Sequence, residues 1–334
     1  MAQLTRRRYL GVAILAVAGL VAGCGVSSAP STGSVRPSGT ADVAYAGSLV
    51  YLNEKLVGPA FTAKTGYSYT GRGAGSAALS AEIASGEISP NVFISVGDTP
   101  IKALMPRFTK WYVRYAATSI VLAYNPASSY ASQFEAIASG RKPLADLFRL
   151  MEQPGFQLGR TDPNIDPQGQ AFVYMLELAQ RAYHLPANTV TKILHGQPAS
   201  SSSPQIFDET SLEAHLQAGQ LDAASAFLSE AVQLHLRYIP LPAAINLGDP
   251  AYAARYKQAS ITIAGNKTLH GGPLALDVTT IGTNGQAAAS AFVGYVLSPA
   301  GRAIYAKGGY TLLTPTAFGD AAAIPAAIRH ELGG

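Results

Sequence analysis

From residue 43 onward the chain alternates short apolar runs with stretches of helical period. Val43-Ala44-Tyr45-Ala46 reads as a buried strand and Gly47-Ser48 as a turn, while apolar Leu49, Leu52, Leu56 and Phe61 predict a helix over 49–65. The unit repeats at once: a strand over 67–70, a Gly-rich turn over 71–76, and a helix over 77–85 that ends at Gly86. A third strand is expected over 91–96 and another over 120–124, followed by a helical region over 133–152. Residues 160–169, with Asp162, Pro163, Asp166, Pro167 and Gly169, form a rigid polar loop before a helix over 171–183. Helices follow over 211–219 and 229–236, with strands over 224–228, 261–263 and 274–281. An amphipathic C-terminal helix over 286–306 is interrupted at Ser298-Pro299.

Strands alternating with helices imply mostly parallel sheets with helices on both faces. Ligands of such sheets bind beyond the carboxyl ends of the strands, where both Gly-Ser turns fall. Ser48 and Ser76, at the expected N-caps, can aim hydroxyls and backbone N–H groups at one point, which outlines an anion site. The alternative is that each serine only caps its own helix. Crossings near residues 120 and 276 divide the folded part into one lobe of 43–121 plus 276–334 and a second of 122–275.

The start of the chain changes the picture of where it works. Thr5-Arg6-Arg7-Arg8-Tyr9-Leu10 leads into an apolar run of about 13 residues, short of the roughly 20 that span a bilayer, so residues 1–23 read as a signal peptide. The twin arginines leave the export route open between two systems. Val21-Ala22-Gly23-Cys24 has the small-residue order of a lipidation site, and Cys24 is the sole cysteine of 334 residues, so neither a disulfide nor a thiolate cluster is available. Residues 24–42 read as the lipidated cysteine and a flexible Ser/Gly/Pro tether. A lipid-anchored protein outside the cytoplasmic membrane or in the periplasm is expected.

Removing the leader takes the formal charge from +4 to +1, since it holds three arginines and no acid. Without a basic stripe nothing points to nucleic acid. The six histidines lack metal-ligand spacing, and neither a G-x-S-x-G elbow nor a phosphate loop is present. Gly71-Arg72-Gly73-Ala74-Gly75 resembles a dinucleotide turn only superficially, because no acid ends the next strand. An enzyme is not expected, and no cofactor is required.

Ala46-Gly47-Ser48-Leu49, Gly75-Ser76, the run from Thr161 to Gly169 and Ile239-Pro240-Leu241-Pro242 occur in the order seen in tungstate/molybdate-binding proteins of ABC importers. The chain resembles the archaeal-type branch of that family over nearly all of 43–318. The resemblance implies a two-lobed periplasmic-binding-protein fold of type II with two crossing strands, and a monomer that closes on an oxyanion and hands it to a transporter permease. It further implies ligand contacts from Gly47, Ser48, Gly75 and Ser76, with Asp166 bonding the metal of tungstate or molybdate directly. The family's second carboxylate falls on Ala226. Glu230 is the nearby acid that can substitute for it, unless it is a solvated surface residue. Sulfate or phosphate is the alternative ligand, and a sensory lipoprotein or exported enzyme on the same scaffold the alternative role.

Overall fold

The first strand begins three residues before the apolar run, because residues 40–42 already pair with a parallel neighbour. The computed structural model, which describes residues 37–195 and 204–332, places β1 at Thr40–Ala46 beside β2 at Ser68–Ala74. Gly71 and Gly73 are therefore strand residues, not part of a turn. A β-carbon at Gly71 would meet the Glu54 carboxylate and the Tyr45 ring, and one at Gly73 would meet Val50 and Tyr45. These two positions stay empty so that the helical segment after β1 can lie close to the sheet.

The remaining strands are β3 (Val92–Val96), β4 (Trp111–Ala117), β5 (Ile120–Tyr124), β6 (Leu158–Gly159), β7 (Ala223–Phe227), β8 (Arg237–Ile239), β9 (Ser260–Ile263), β10 (Lys267–His270), β11 (Ala275–Thr280) and β12 (Thr311–Gly319). They form a six-stranded sheet ordered β12-β4-β11-β3-β1-β2, a four-stranded sheet ordered β6-β7-β5-β8, and the β9–β10 hairpin. The fold is two-lobed α/β with mixed sheets. Parallel pairing is confined to β1–β2, β1–β3 and β6–β7, so antiparallel pairs outnumber parallel ones, contrary to the expectation of mostly parallel sheets. The reason is topological: β11 and β12 return from the far half of the chain and enter the large sheet in the opposite sense.

The chain leaves the large sheet at Thr118-Ser119. Thr118 N–H donates to Leu274 C=O at 2.9 Å, so the outgoing and returning segments lie side by side. The six- and four-stranded sheets carry helices on both faces. Helix Gln286–Leu297 packs on β1 and β11, with Phe292 edge-on to Phe61 at 5.1 Å. Helices Ser76–Ser85 and Thr99–Leu104 cover the opposite face through Leu79, Ile83 and Ile101. Helix Pro167–Ala182 packs on β5 and β7, and helix Glu209–Gln217 brings Leu212 and Leu216 onto Ala224 and Ala226 of β7. Within the large sheet the buried Asp277 of β11 accepts two hydrogen bonds from Arg114 of β4, both at 3.0 Å.

Candidate functional site

The β1–β2 register ends with Ala46 opposite Ala74, so the chain leaves both strands at the same level. Gly47-Ser48 and Gly75-Ser76 therefore start their helical turns next to each other, as expected. The serines are not the caps. Ala46 and Gly75 hold the N-cap positions and have no polar side chain to make a capping bond, while each serine lies one or two residues inside its helical turn. Ser76 is fully buried and its Oγ accepts from Val96 N–H at 3.2 Å, at the end of β3. Ser48 is also buried, and its Oγ has no hydrogen-bond partner. Gly47 and Gly75 line a cavity of about 640 Å³. Both serine side chains stand behind that lining.

The opposite wall comes from the loop before helix Pro167–Ala182. Asp162 folds the loop by accepting from Asn164 N–H at 2.9 Å, and Asp166 caps the helix by accepting from Gln168 N–H at 2.7 Å. Gly169 allows this close fold, since a β-carbon there would stand 2.5 Å from the Thr161 carbonyl. Asp166 lines the cavity and is 8% exposed. Burial pushes its carboxyl up to about 6, against the stabilising bond from Gln168 N–H.

Glu230 is buried rather than solvated, so the surface reading fails. Its Oε2 accepts from Phe227 N–H at 2.9 Å and from Gln168 Nε2 at 2.8 Å, and Gln168 in turn accepts from Ser225 Oγ at 3.0 Å. Burial pushes Glu230 up to about 7. It sits behind the cavity lining and not on it.

Two further acids were not anticipated. Phe207 N–H donates to Arg160 C=O at 3.0 Å, which ties the segment before helix Glu209–Gln217 to the Asp162–Asp166 loop. Glu209, in the first turn of that helix, lines the cavity and reaches across it to Gly47. Burial raises its carboxyl well above the usual range, with added repulsion from Asp166, Glu230 and Glu213. Glu213, one turn on, is pushed up to about 9, again chiefly by burial. Ala226 shares an apolar cluster with Leu212 and Leu216, so the helix bearing Glu209 and Glu213 covers the face from which an acid at 226 would project. The sequence signal for Glu209 was weak, because an acid in the first turn of a helix is common for dipole reasons alone.

The site thus presents the Gly47 and Gly75 backbone turns on one side and the carboxyls of Asp162, Asp166 and Glu209 on the other. The fully buried Arg160 stands near Asp162 and keeps its charge, with burial lowering its guanidinium only to about 10. Among the described residues no group of three His, Cys, Asp or Glu is arranged to hold a bare metal ion. No helix among them is long and apolar enough to cross a membrane. Cys24, the leader and most of the tether lie outside the described residues.

Two lobes, each built on a mixed sheet and joined by paired crossing segments, define a binding-protein scaffold. Residues 41–311 match the bacterial extracellular solute-binding protein family, and the chain belongs to it. A Haloferax volcanii protein named "Putative ABC transporter molybdenum-binding protein" is 31% identical over 322 residues, 95% of each chain. The molybdate/tungstate-binding protein WtpA of Pyrococcus abyssi is 30% identical over 68% of this chain and 70% of its own. Among solved structures, the periplasmic molybdate-binding protein of Azotobacter vinelandii aligns over 81% of this chain and 98% of its own. Its TM-score is 0.54 and its identity 17%, which speaks for the fold alone. The sulfate-binding protein SubI of Mycobacterium tuberculosis aligns with TM-score 0.51 and 14% identity over 89% of this chain and 96% of its own.

Proposed function

We propose that this chain is a lipid-anchored receptor that captures an oxyanion, tungstate or molybdate in preference, in the cavity between its lobes and delivers it to an ABC importer. The observation that carries the reading is the level ending of β1 and β2, which sets the Gly47-Ser48 and Gly75-Ser76 turns side by side and opposite Asp166. Two such turns supply N–H and hydroxyl donors to a tetrahedral anion. The names of the Haloferax and Pyrococcus relatives support the choice of ligand.

Asp166 next to a dianion is a repulsive arrangement, about 4 kcal/mol for unit charges 4 Å apart at an effective dielectric near 20. Direct bonding to the metal of the cargo resolves it, since a carboxylate oxygen is a suitable ligand for a hard centre. Sulfate offers no such bond. Ser48, Ser76, Gly47 and Gly75 serve as donors, Glu230 as a support behind them, and Cys24 as the membrane anchor, with the protein acting as a monomer that meets the permease through its closed form.

Calorimetric titration of the mature protein with tungstate, molybdate, sulfate and phosphate tests the reading. Tight binding of tungstate or molybdate is expected. Binding of none of the four would sink the receptor reading, and a preference for sulfate would replace its ligand.

A further inference from the structure

Glu209 stands in the cavity that the oxyanion would enter, and neither the resemblance nor the family assigns it a role. We propose that Glu209 is a ligand-contacting residue: its carboxyl, which lines the cavity and is seated against Gly47, donates a hydrogen bond to an oxygen of the bound oxyanion. The inference rests on the oxyanion reading above.

Position comes first. The Phe207–Arg160 backbone bond holds the start of helix Glu209–Gln217 beside the Asp166 loop, and from there the side chain crosses to the Gly47 turn. An oxyanion held by that turn is within reach of the same carboxyl. The buried Ser48 Oγ beside Gly47 has no partner, so the turn is left with a donor to spare.

The direction of the hydrogen bond follows from its neighbours. Neighbouring carboxyls raise one another's affinity for a proton. Glu230 Oε2 already accepts from Phe227 N–H and Gln168 Nε2, which favours the ionised form of Glu230 and leaves Glu209 as the donor. The charged and titratable groups that face Glu209 are Asp166 from the loop, Glu230 from helix Leu228–Gln233, Glu213 from its own helix and Tyr310 from the segment before β12. The β1 end contributes Gly47 and Ser48, which carry no charge. Negative charge on Asp166 and Glu230 holds the proton on Glu209, and an arriving dianion holds it more firmly. A neutral acid can thus approach an oxyanion where a carboxylate would repel it.

Calorimetry at pH 7 with sodium tungstate and sodium molybdate on wild type, Glu209→Gln and Glu209→Ala tests the proposal, with melting curves without ligand to establish folding. Gln keeps a donor at the same reach, so its affinity should stay within about threefold of wild type. Ala should weaken binding about 10- to 100-fold, the usual range for a hydrogen bond to a charged partner. Ala binding as tightly as wild type, or more tightly, would mean that the carboxyl merely fills space and would overturn the proposal. Gln as weak as Ala would overturn it too, because an ionised carboxylate would then be required. Should Ala fail to fold, Glu209→Met, which keeps the length and lacks the donor, takes its place with the same expected and adverse outcomes. Wild type that binds neither anion overturns the oxyanion reading itself, whereas normal wild-type binding with either of the adverse variant results overturns only the role of Glu209.

Discussion

The α-carbon of Gly75 faces the Ile165 carbonyl so closely that a β-carbon would stand 2.8 Å from the oxygen. The two halves of the fold touch here through backbone, beside the cavity. Gly75→Ala should hold them apart and weaken oxyanion binding by about tenfold or more, since closure brings the Asp166 loop onto the ligand. Calorimetry on the variant checks this, and unchanged affinity would show that the contact plays no part in closure.

The two serines should separate in their effects. Ser76→Ala removes the acceptor of Val96 N–H, so it should cost about 1 kcal/mol of stability as well as affinity. Ser48→Ala removes a buried hydroxyl without a partner, so the unliganded protein should melt no lower than wild type while affinity falls about tenfold. Paired melting and binding measurements on both variants are needed. Equal destabilisation by both would contradict the assignment.

Asp166 carries a structural and a proposed chemical role at once. Loss of its cap in Asp166→Ala should cost about 1 kcal/mol of stability whatever the ligand. If it also bonds the metal, tungstate affinity should collapse while sulfate affinity holds or improves, because the repulsive charge is gone. A parallel titration with both anions decides, and an equal loss for both rejects the metal bond.

The acids set a pH dependence with a definite sign. Asp166, Glu230 and Glu213 are pushed up to about 6, 7 and 9 from ordinary values of 3.8, 4.5 and 4.5. The folded state therefore holds these protons more tightly than the unfolded chain. That stabilisation is complete below about pH 4 and disappears as pH rises through those three values. The unliganded melting temperature should fall between pH 5 and 9, and Glu213→Gln should flatten the upper part of the curve. Scanning calorimetry over that range is the check, and a flat or rising wild-type curve would refute it.

Much of this architecture is readable from residue pattern. The repeated strand–turn–helix units place β1, β2, β3 and both Gly-Ser turns, and the Asp-Pro-Asn-Ile-Asp-Pro run places the Asp166 loop against a helix. β12 escaped notice because Pro315 breaks its alternation and its pairing with β4 shifts register between Leu312 and Thr316. β4, β6, β8 and β10 are not legible in the pattern either. Glu209 was illegible for a different reason. Its neighbours in sequence say only that a helix starts there, and what makes it part of a site is Gly47, 162 residues earlier in the chain. Burial of Glu230 is tertiary in the same way, since Gln168 and Phe227 reach it only after the small sheet has formed.

The place of β11 between β3 and β4 has a consequence for how the protein is made. Until residue 280 has left the ribosome, β3 and β4 cannot be joined, and each presents an unpaired edge. The large sheet can be completed only when nearly the whole chain exists, which keeps the nascent protein slow to fold and exposed to wrong strand pairing. For a protein carried across a membrane that delay works in its favour if it crosses unfolded, and calls for chaperones if it must fold first. A truncation that stops before Ala275 should therefore aggregate rather than leave a working half.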